Sequence, residues 1–253
     1  MHFTPLVYAL LVATGLGAGL LDSIAGGGGL IALPVLLSLG MPATFALGTN
    51  KLQSLCGTTT SASHYIRCGV VDLRRCRLGA ALTLAGALAG TWAVQLLKSD
   101  ILVRLLPWLL AAAFAYIVFR PDVGSRERKA RIGATPFYLM AGPVLGFWDG
   151  FFGPAVGSFW ALAFVGLLGF DFVKATGYTK VMNLTSNTAA VVLFAIGGHI
   201  FLGAGLAMAA GQIVGARVGA GIVVKKGARF VRPIFLIVVA LTIARLLYVA
   251  NVR

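Results

Sequence analysis

Two lysines stand inside otherwise apolar stretches, each at the head of a polar stripe. Asn50-Lys51 is followed by Ser54, Thr58, Ser61 and Tyr65, and these steps of three and four fall on one face of a helix. Lys180 is followed by Asn183 and Asn187 at the same spacings, and one offset of 129 residues relates Lys51 to Lys180, Ser54 to Asn183 and Thr58 to Asn187. A lysine within a membrane helix is costly and marks a functional site by default. The bland alternative is a lysine near a helix end that snorkels to the headgroups, but the hydroxyls and amides that continue past both lysines would then be idle. Ammonium, amide and hydroxyl groups all donate hydrogen bonds. Asn50, Lys51, Ser54, Lys180, Asn183 and Asn187 are therefore expected to bind a small anion.

Two other features point to the same place. In the run Gly26-Gly27-Gly28-Gly29, glycine lets the backbone turn and approach a ligand closely. A helix starting near Leu30 would aim its N-terminal N–H groups and positive dipole end at the break, which puts Gly27, Gly28 and Gly29 among the expected anion contacts. Gly153-Pro154 can serve the other half in the same way. Asp22 and Asp149 are the only acids inside apolar segments. Each could neutralise a lysine, cap the following helix or carry a coupling proton, and the sequence leaves the three open. His64 and His199 lie near the ends of apolar stretches and read as bland.

These residues need a membrane around them. The chain has 253 residues, 59% hydrophobic and 11% charged, with a mean hydropathy of +0.93. A soluble domain would carry about 25% charged and about 45–50% apolar residues. The composition excludes a water-soluble globule, so a lipid bilayer is one expected partner; the donor stripes make a small anionic substrate the other. The net charge of +14 would suggest nucleic acid in a soluble protein, but in a membrane protein it marks cytoplasmic loops; no nucleic-acid partner is expected. Cys56, Cys68 and Cys76 form no C-x-x-C pair, and no serine stands in a G-x-S-x-G context. No catalytic residue, bound metal or resident cofactor is expected, beyond a coupling ion such as H+ or Na+.

Apolar runs of about 20 residues, enough to span a bilayer, cover 43–66, 78–97, 101–119, 172–196, 200–223 and 231–249. Two further regions are interrupted: 5–21 runs into Asp22 and the glycines before a short 30–39, and 137–152 meets Gly153-Pro154 before a short 155–168. Each reads as a broken or hairpin-like pair, tolerated at membrane depth only where the backbone is buried in protein or lines a cavity. The broken regions repeat: Asp149 follows Asp22 by 127 residues, Gly211/Gly215 follow Gly86/Gly90 by 125, and Arg232 follows Arg104 by 128. The chain is read as an N-terminal repeat (1–120), a cytoplasmic linker (121–135) and a C-terminal repeat (136–253). Basic residues crowd into three loops: Arg67, Arg74, Arg75 and Arg77; Arg126, Arg128, Lys129 and Arg131; and Lys225, Lys226 and Arg229. The loops equivalent to the first and third, Gly197-Gly198-His199 and Lys98-Ser99-Asp100, lack that excess. Equivalent loops then sit on opposite faces, the mark of an inverted-topology repeat in a polytopic all-α membrane protein of eight to ten passes with both termini outside.

The residues now in view resemble the TauE/SafE (TSUP) family of membrane transporters, in its YfcA-like branch. The resemblance rests on Asp22-Ser23-Ile24-Ala25-Gly26-Gly27-Gly28-Gly29, Thr49-Asn50-Lys51-Leu52-Gln53, Asp149-Gly150-Phe151-Phe152-Gly153-Pro154, and Lys174-Ala175-Thr176 leading to Lys180 and Ser186-Asn187. It implies a permease of the bacterial inner membrane, several members being linked to sulfite, sulfoacetate and other sulfonates. Where many members repeat a glycine-rich loop in the second half, this chain has Gly153-Pro154-Ala155-Val156-Gly157. The expected function is secondary transport of a small sulfur-containing anion by alternating access. A passive anion channel and a membrane-embedded enzyme are the other readings, and a homo-oligomer is compatible with either.

Overall fold

In the computed structural model, which describes residues 3–97, 108 and 129–227, the apolar stretches fold as eight helices and no strand occurs among the described residues. They are α1 (Pro5–Ala25), α2 (Gly29–Ser38), α3 (Ala43–Arg67), α4 (Leu73–Leu96), α5 (Ala134–Phe151), α6 (Val156–Leu168), α7 (Phe172–Ile196) and α8 (Leu202–Lys226). Local chemistry sets several of their ends. Pro5 opens α1, where its missing N–H costs nothing. The Asp72 and Asp171 carboxylates accept from the N–H groups of Arg74 (2.9 Å) and Lys174 (3.0 Å), capping α4 and α7. The Asp72 cap starts α4 five residues before the expected residue 78, because it satisfies the free N–H groups of a charged first turn that hydropathy alone leaves out.

Helices α1, α4 and α8 are long and apolar enough to cross a membrane. The 25 residues of α3 and of α7 rise about 37 Å at 1.5 Å each, more than the roughly 30 Å of a hydrocarbon core. The candidate spans 101–119 (apart from Trp108) and 231–249, the turn at 98–100, Arg104, Arg126, Arg128, Arg229, Arg232 and linker residues 121–128 lie outside the described residues.

The two interrupted regions are helical hairpins. Helix α6 returns to the end where α5 begins, since the N–H groups of Arg131 and Ile132 donate to the Leu167 carbonyl at 2.8 and 3.4 Å. Helix α2 turns back likewise, and its Leu33 and Leu36, with Met41 after it, share a core with Leu11 near the start of α1. The hairpin tips meet: Ser158 Oγ donates to the Ala25 carbonyl at 2.6 Å, and Tyr65 from α3 donates to the Ser23 carbonyl at 3.0 Å. These two bonds satisfy carbonyls that the end of α1 would otherwise leave unpaired.

Helix directions follow from which residues touch. Along α1 and α8, Val12 meets Gly211 and Leu16 meets Gly215; along α4 and α5, Gly86 meets Pro143 and Gly90 meets Phe147. Both pairs are parallel, and in each the glycines sit where a Cβ would overlap a carbonyl of the facing helix, a close packing typical of small residues in membranes. Helix α3 runs parallel to α8, with Gly57 against Gln212 and His64 against Arg217, and antiparallel to α7, with Gly48 against Phe194 and Tyr65 against Gly177. Helix α4 runs with α7, through Thr83 to Met182 and Gln95 to Gly197. Thus α1, α3 and α8 point one way, while their counterparts α5, α7 and α4 point the other. The inversion expected from loop charge is present in the helix directions. Exposed Arg67, Arg74, Arg75, Arg77, Lys129, Arg131, Lys225 and Lys226 all fall at the end where α3 and α8 finish and α4 and α5 begin.

Gly26 carries the first hairpin tip. Its φ of +76° is left-handed, and a Cβ there would come within 2.7 Å of Ser158 N on the opposing tip. Gly26→Ala is expected to lower the thermal unfolding midpoint in detergent, with about 1–2 kcal/mol from the left-handed backbone alone and the overlap added. Gly17→Ala, at a mid-α1 position with open space around it, should be neutral or stabilising by up to about 1 kcal/mol. Equal midpoints for the two variants would contradict the tip packing.

Candidate functional site

The hairpin tips and the middles of α3 and α7 enclose a small cavity lined by Asp22, Gly26, Gly29, Asn50, Lys51, Ser54, Asp149, Gly153, Val156, Asn183 and Asn187. Its volume, counted over positions open to a water centre, is about 20 Å3. About 10–15 Å3 on that measure holds one water, so this conformation has room for a water or a bare ion and not for an organic sulfonate.

The charged groups pair across the two halves. Lys51 on α3 donates to Asp149 Oδ1 on α5 and, at 3.2 Å, to Asn187 Oδ1 on α7. Lys180 on α7 donates to Asp22 Oδ2 on α1 at 2.8 Å. Each lysine takes the aspartate of the other half's hairpin, and two cations cancel two anions. Lys51 is 2% exposed and Lys180 0%, which removes the snorkelling reading. A buried charge without a partner costs several kcal/mol, and breaking such a pair by removing one side costs about 3–5. The cross-pairing therefore fixes the tips of both hairpins against α3 and α7.

Most of the residues singled out by sequence lie together in the structure, and one relation among them had been left open. Asn50, Lys51, Ser54, Asn183 and Asn187 all line the cavity, as do both aspartates, while Lys180 lies behind Asp22. Of the expected glycines, Gly29 lines the cavity and Gly26 joins it; a Cβ on Gly27 would face the Leu21 and Leu30 side chains, and one on Gly28 the Ala18 carbonyl and Asp22 Cβ. Asp22 and Asp149 cap no helix N-terminus; they are the lysines' counter-ions. The lower part of the α3 stripe does not reach the site. Thr58 and Ser61 donate to carbonyls one turn back at 2.8 and 3.0 Å, and Tyr65 braces the first tip. His64 sits against Arg217 at 2.6 Å and His199 against Gln95 at 3.0 Å, both away from the cavity.

One residue was missed as part of the site, and one that was noted plays a different part from the one expected. Ser186 donates to Asp149 Oδ2, and its signal was present: it stands two turns after Lys180's neighbour Thr179, beside Asn187, in the polar run Thr185-Ser186-Asn187-Thr188. Gly153, with φ +95°, leaves the space the Lys51 ammonium occupies, since a Cβ there would come within 2.8 Å of Nζ. The first residues of α2 and α6, Gly29 and Val156, both face the cavity, so two positive helix ends add to its field.

Comparison with known proteins identifies the setting. Residues 11–246 match the family model described as Sulfite exporter TauE/SafE. The chain is 43% identical over 245 residues to the "Probable membrane transporter protein YfcA" of Escherichia coli (strain K12), covering 97% of this chain and 91% of that one. It is 42% identical over 240 residues to a "Probable membrane transporter protein" of Haemophilus influenzae, covering 95% and 94% of the two chains. To the "Probable membrane transporter protein ORF9" of a Sinorhizobium species it is 40% identical over 239 residues, covering 94% and 92%. No solved structure matches the chain. With the family match spanning both hairpins and both lysine helices, the chain belongs to the TauE/SafE family of membrane transporters.

Proposed function

We propose that the protein is a multi-pass secondary transporter of the bacterial inner membrane that moves a small sulfur-containing anion, a sulfur oxyanion or an organosulfonate, by alternating access between its inverted halves, 1–120 and 136–253, joined by linker 121–135. The observation that carries the reading is the pair of buried lysines held by crossed aspartates at facing hairpin tips. Buried ion pairs add little net stability over apolar packing, and ionisable groups at membrane depth belong to transport pathways by default. The sulfur chemistry is supported by the matching family, which is described as a sulfite exporter.

The geometry also implies how an anion would compete. In this conformation each lysine is neutralised, and the cavity is too small for an oxyanion. Binding would then require the tips to separate and a carboxylate to give up its lysine, a cost that a coupling H+ or Na+ on the carboxylate would offset. The helix ends at Gly29 and Val156 and the amides of Asn50, Asn183 and Asn187 would supply further donors. Helices that run oppositely in the two halves suit a rocking motion in which one half exchanges arrangement with the other.

Purified protein in liposomes should accumulate sulfite or a simple sulfonate, and Lys51→Ala or Lys180→Ala should reduce uptake to background. The double variant Lys180→Met/Asp22→Asn, which leaves no unpaired charge, should keep the fold by thermal unfolding and still fail to transport. Normal substrate-driven flux in both alanine variants would sink the proposal, and conductance far above carrier turnover would replace it with a channel. In a thermal-shift screen of sulfite, thiosulfate, sulfonates and carboxylates, the cognate anion should stabilise the protein by about 2.7 kcal/mol at a hundredfold excess over its Kd.

A further inference from the structure

The two lysine–aspartate pairs occupy equivalent places in the repeat and are held very differently. Both oxygens of Asp149 are taken, Oδ1 by Lys51 and Oδ2 by Ser186, and Lys51 is held a second time by Asn187. Asp22 accepts from Lys180 alone among the described residues, through Oδ2, which leaves Oδ1 without a donor. The Asp22 side chain is 13% exposed against 3% for Asp149. The sequence explains the difference: at the offset of 129, Gly57 stands where Ser186 stands and Thr58 where Asn187 stands. Glycine offers no hydroxyl, and the Thr58 hydroxyl is spent on its own helix, donating to the Ser54 carbonyl at 2.8 Å.

The cavity carries the same asymmetry. Its wall presents Asp22, Asp149 and Lys51, with Lys180 behind Asp22, so its lining has one more carboxylate than ammonium. The same cavity wall carries the Asn50, Ser54 and Asn183 side chains, and Asn183, 2% exposed, has a side-chain oxygen with no partner among the described residues. Carboxylate, amide and hydroxyl oxygens are the ligands hard cations select, and the space fits one bare ion or one water. The charged and titratable groups that face Asp22 are Lys180 from α7 and Tyr65 from α3, with Lys51 and Asp149 across the cavity.

Resting on the transport reading above, we infer that Asp22, and not Asp149, receives the coupling cation. A cation on Asp22 Oδ1 neutralises the carboxylate, releases Lys180 from it, and leaves the site one positive charge in excess, which a monovalent anion then cancels. Lys51, Asp149, Ser186 and Asn187 form the strut that keeps the second hairpin in place while this happens. The cation is Na+ or H+; both act by neutralising the same oxygen, and the experiment separates them.

The test uses purified full-length protein in liposomes with sulfite as the transported probe, under an inward Na+ gradient, an inward H+ gradient or neither. One gradient should stimulate wild-type uptake and so identify the cation. Asp22→Asn should abolish the stimulation, bringing the ratio of uptake with and without the gradient to about one. Ser186→Ala should lower the unfolding midpoint by several degrees and keep the stimulation ratio. If Asp22→Asn does not fold, Lys180→Met/Asp22→Asn replaces it, read by the unfolding midpoint in NaCl against choline chloride and across pH without sulfite. A cation-dependent rise in midpoint, present in wild type and Ser186→Ala and absent from the Asp22 variants, supports the assignment even if sulfite is not the substrate, a result that would sink only the sulfur reading. Gradient stimulation or cation stabilisation that survives loss of Asp22, or that is lost in Ser186→Ala alone, or that is absent from wild type, overturns it.

Discussion

A charge buried in a membrane protein must be paired, and this fold is arranged around two such obligations. Lys51 and Lys180 sit on α3 and α7, and the only described carboxylates that reach them come from the opposite hairpins. Had each lysine paired within its own half, the halves would still meet through small-residue packing and a few hydrogen bonds such as Ser158 to the Ala25 carbonyl, and neither lysine would need the other half for its neutrality. Crossing the pairs makes the approach of the halves a condition of charge neutrality. The tips cannot part without exposing ions or finding other partners for them, so the charge pairing and any opening motion are one equilibrium.

Close approach of the backbones makes the crossing geometrically attainable. A lysine side chain reaches only a few ångströms, so the hairpin tips must lie against α3 and α7. Glycine supplies the clearance: Gly211 and Gly215 let α8 lie on α1, Gly86 and Gly90 let α4 lie on α5, and Gly153 leaves space for the Lys51 ammonium. The same economy explains Gly57, whose bare face meets the Gln212 side chain. The asymmetry between the two ion pairs thus begins as a packing requirement on α3, where there is no room for the hydroxyl that Ser186 provides on α7.

Most of the scaffold was legible in the sequence because its signals are local. Apolar length, the breaks at Gly26 and Gly153, and the offset near 129 located the helices and the repeat, and the distribution of arginine and lysine gave the inversion. The cavity lining was legible too, since Lys51, Asn50, Ser54, Asn183 and Asn187 follow helical spacing. What spacing could not give was partnership. Asp22 meets Lys180 across 158 residues and Asp149 meets Lys51 across 98, and nothing local distinguishes crossed pairing from pairing within a half. The sequence allowed the aspartates to neutralise the lysines but also allowed them to cap a helix or carry a proton, so the lysines could be read as donors open to an anion. With the pairs in place, the four charges cancel, and any anion entering the site would have to compete with the carboxylates for the lysines.

That competition gives the departure from symmetry a physical meaning. With two identical halves, the opposed arrangements of an inverted repeat would be equal in energy, and a bound ion would find the same carboxylate on either side. Here Ser186 and Asn187 bind the Lys51–Asp149 pair into a network in which both carboxylate oxygens are occupied, and removing any member would strand the others. Among the described residues, Lys180 and Asp22 have only each other. Because the energy needed to separate a pair rises with each further bond that must break, the Lys180–Asp22 pair is the less costly of the two to separate. A cation that neutralises Asp22 lowers that energy on one side only, which is the differential interaction a ligand must have to shift a conformational equilibrium.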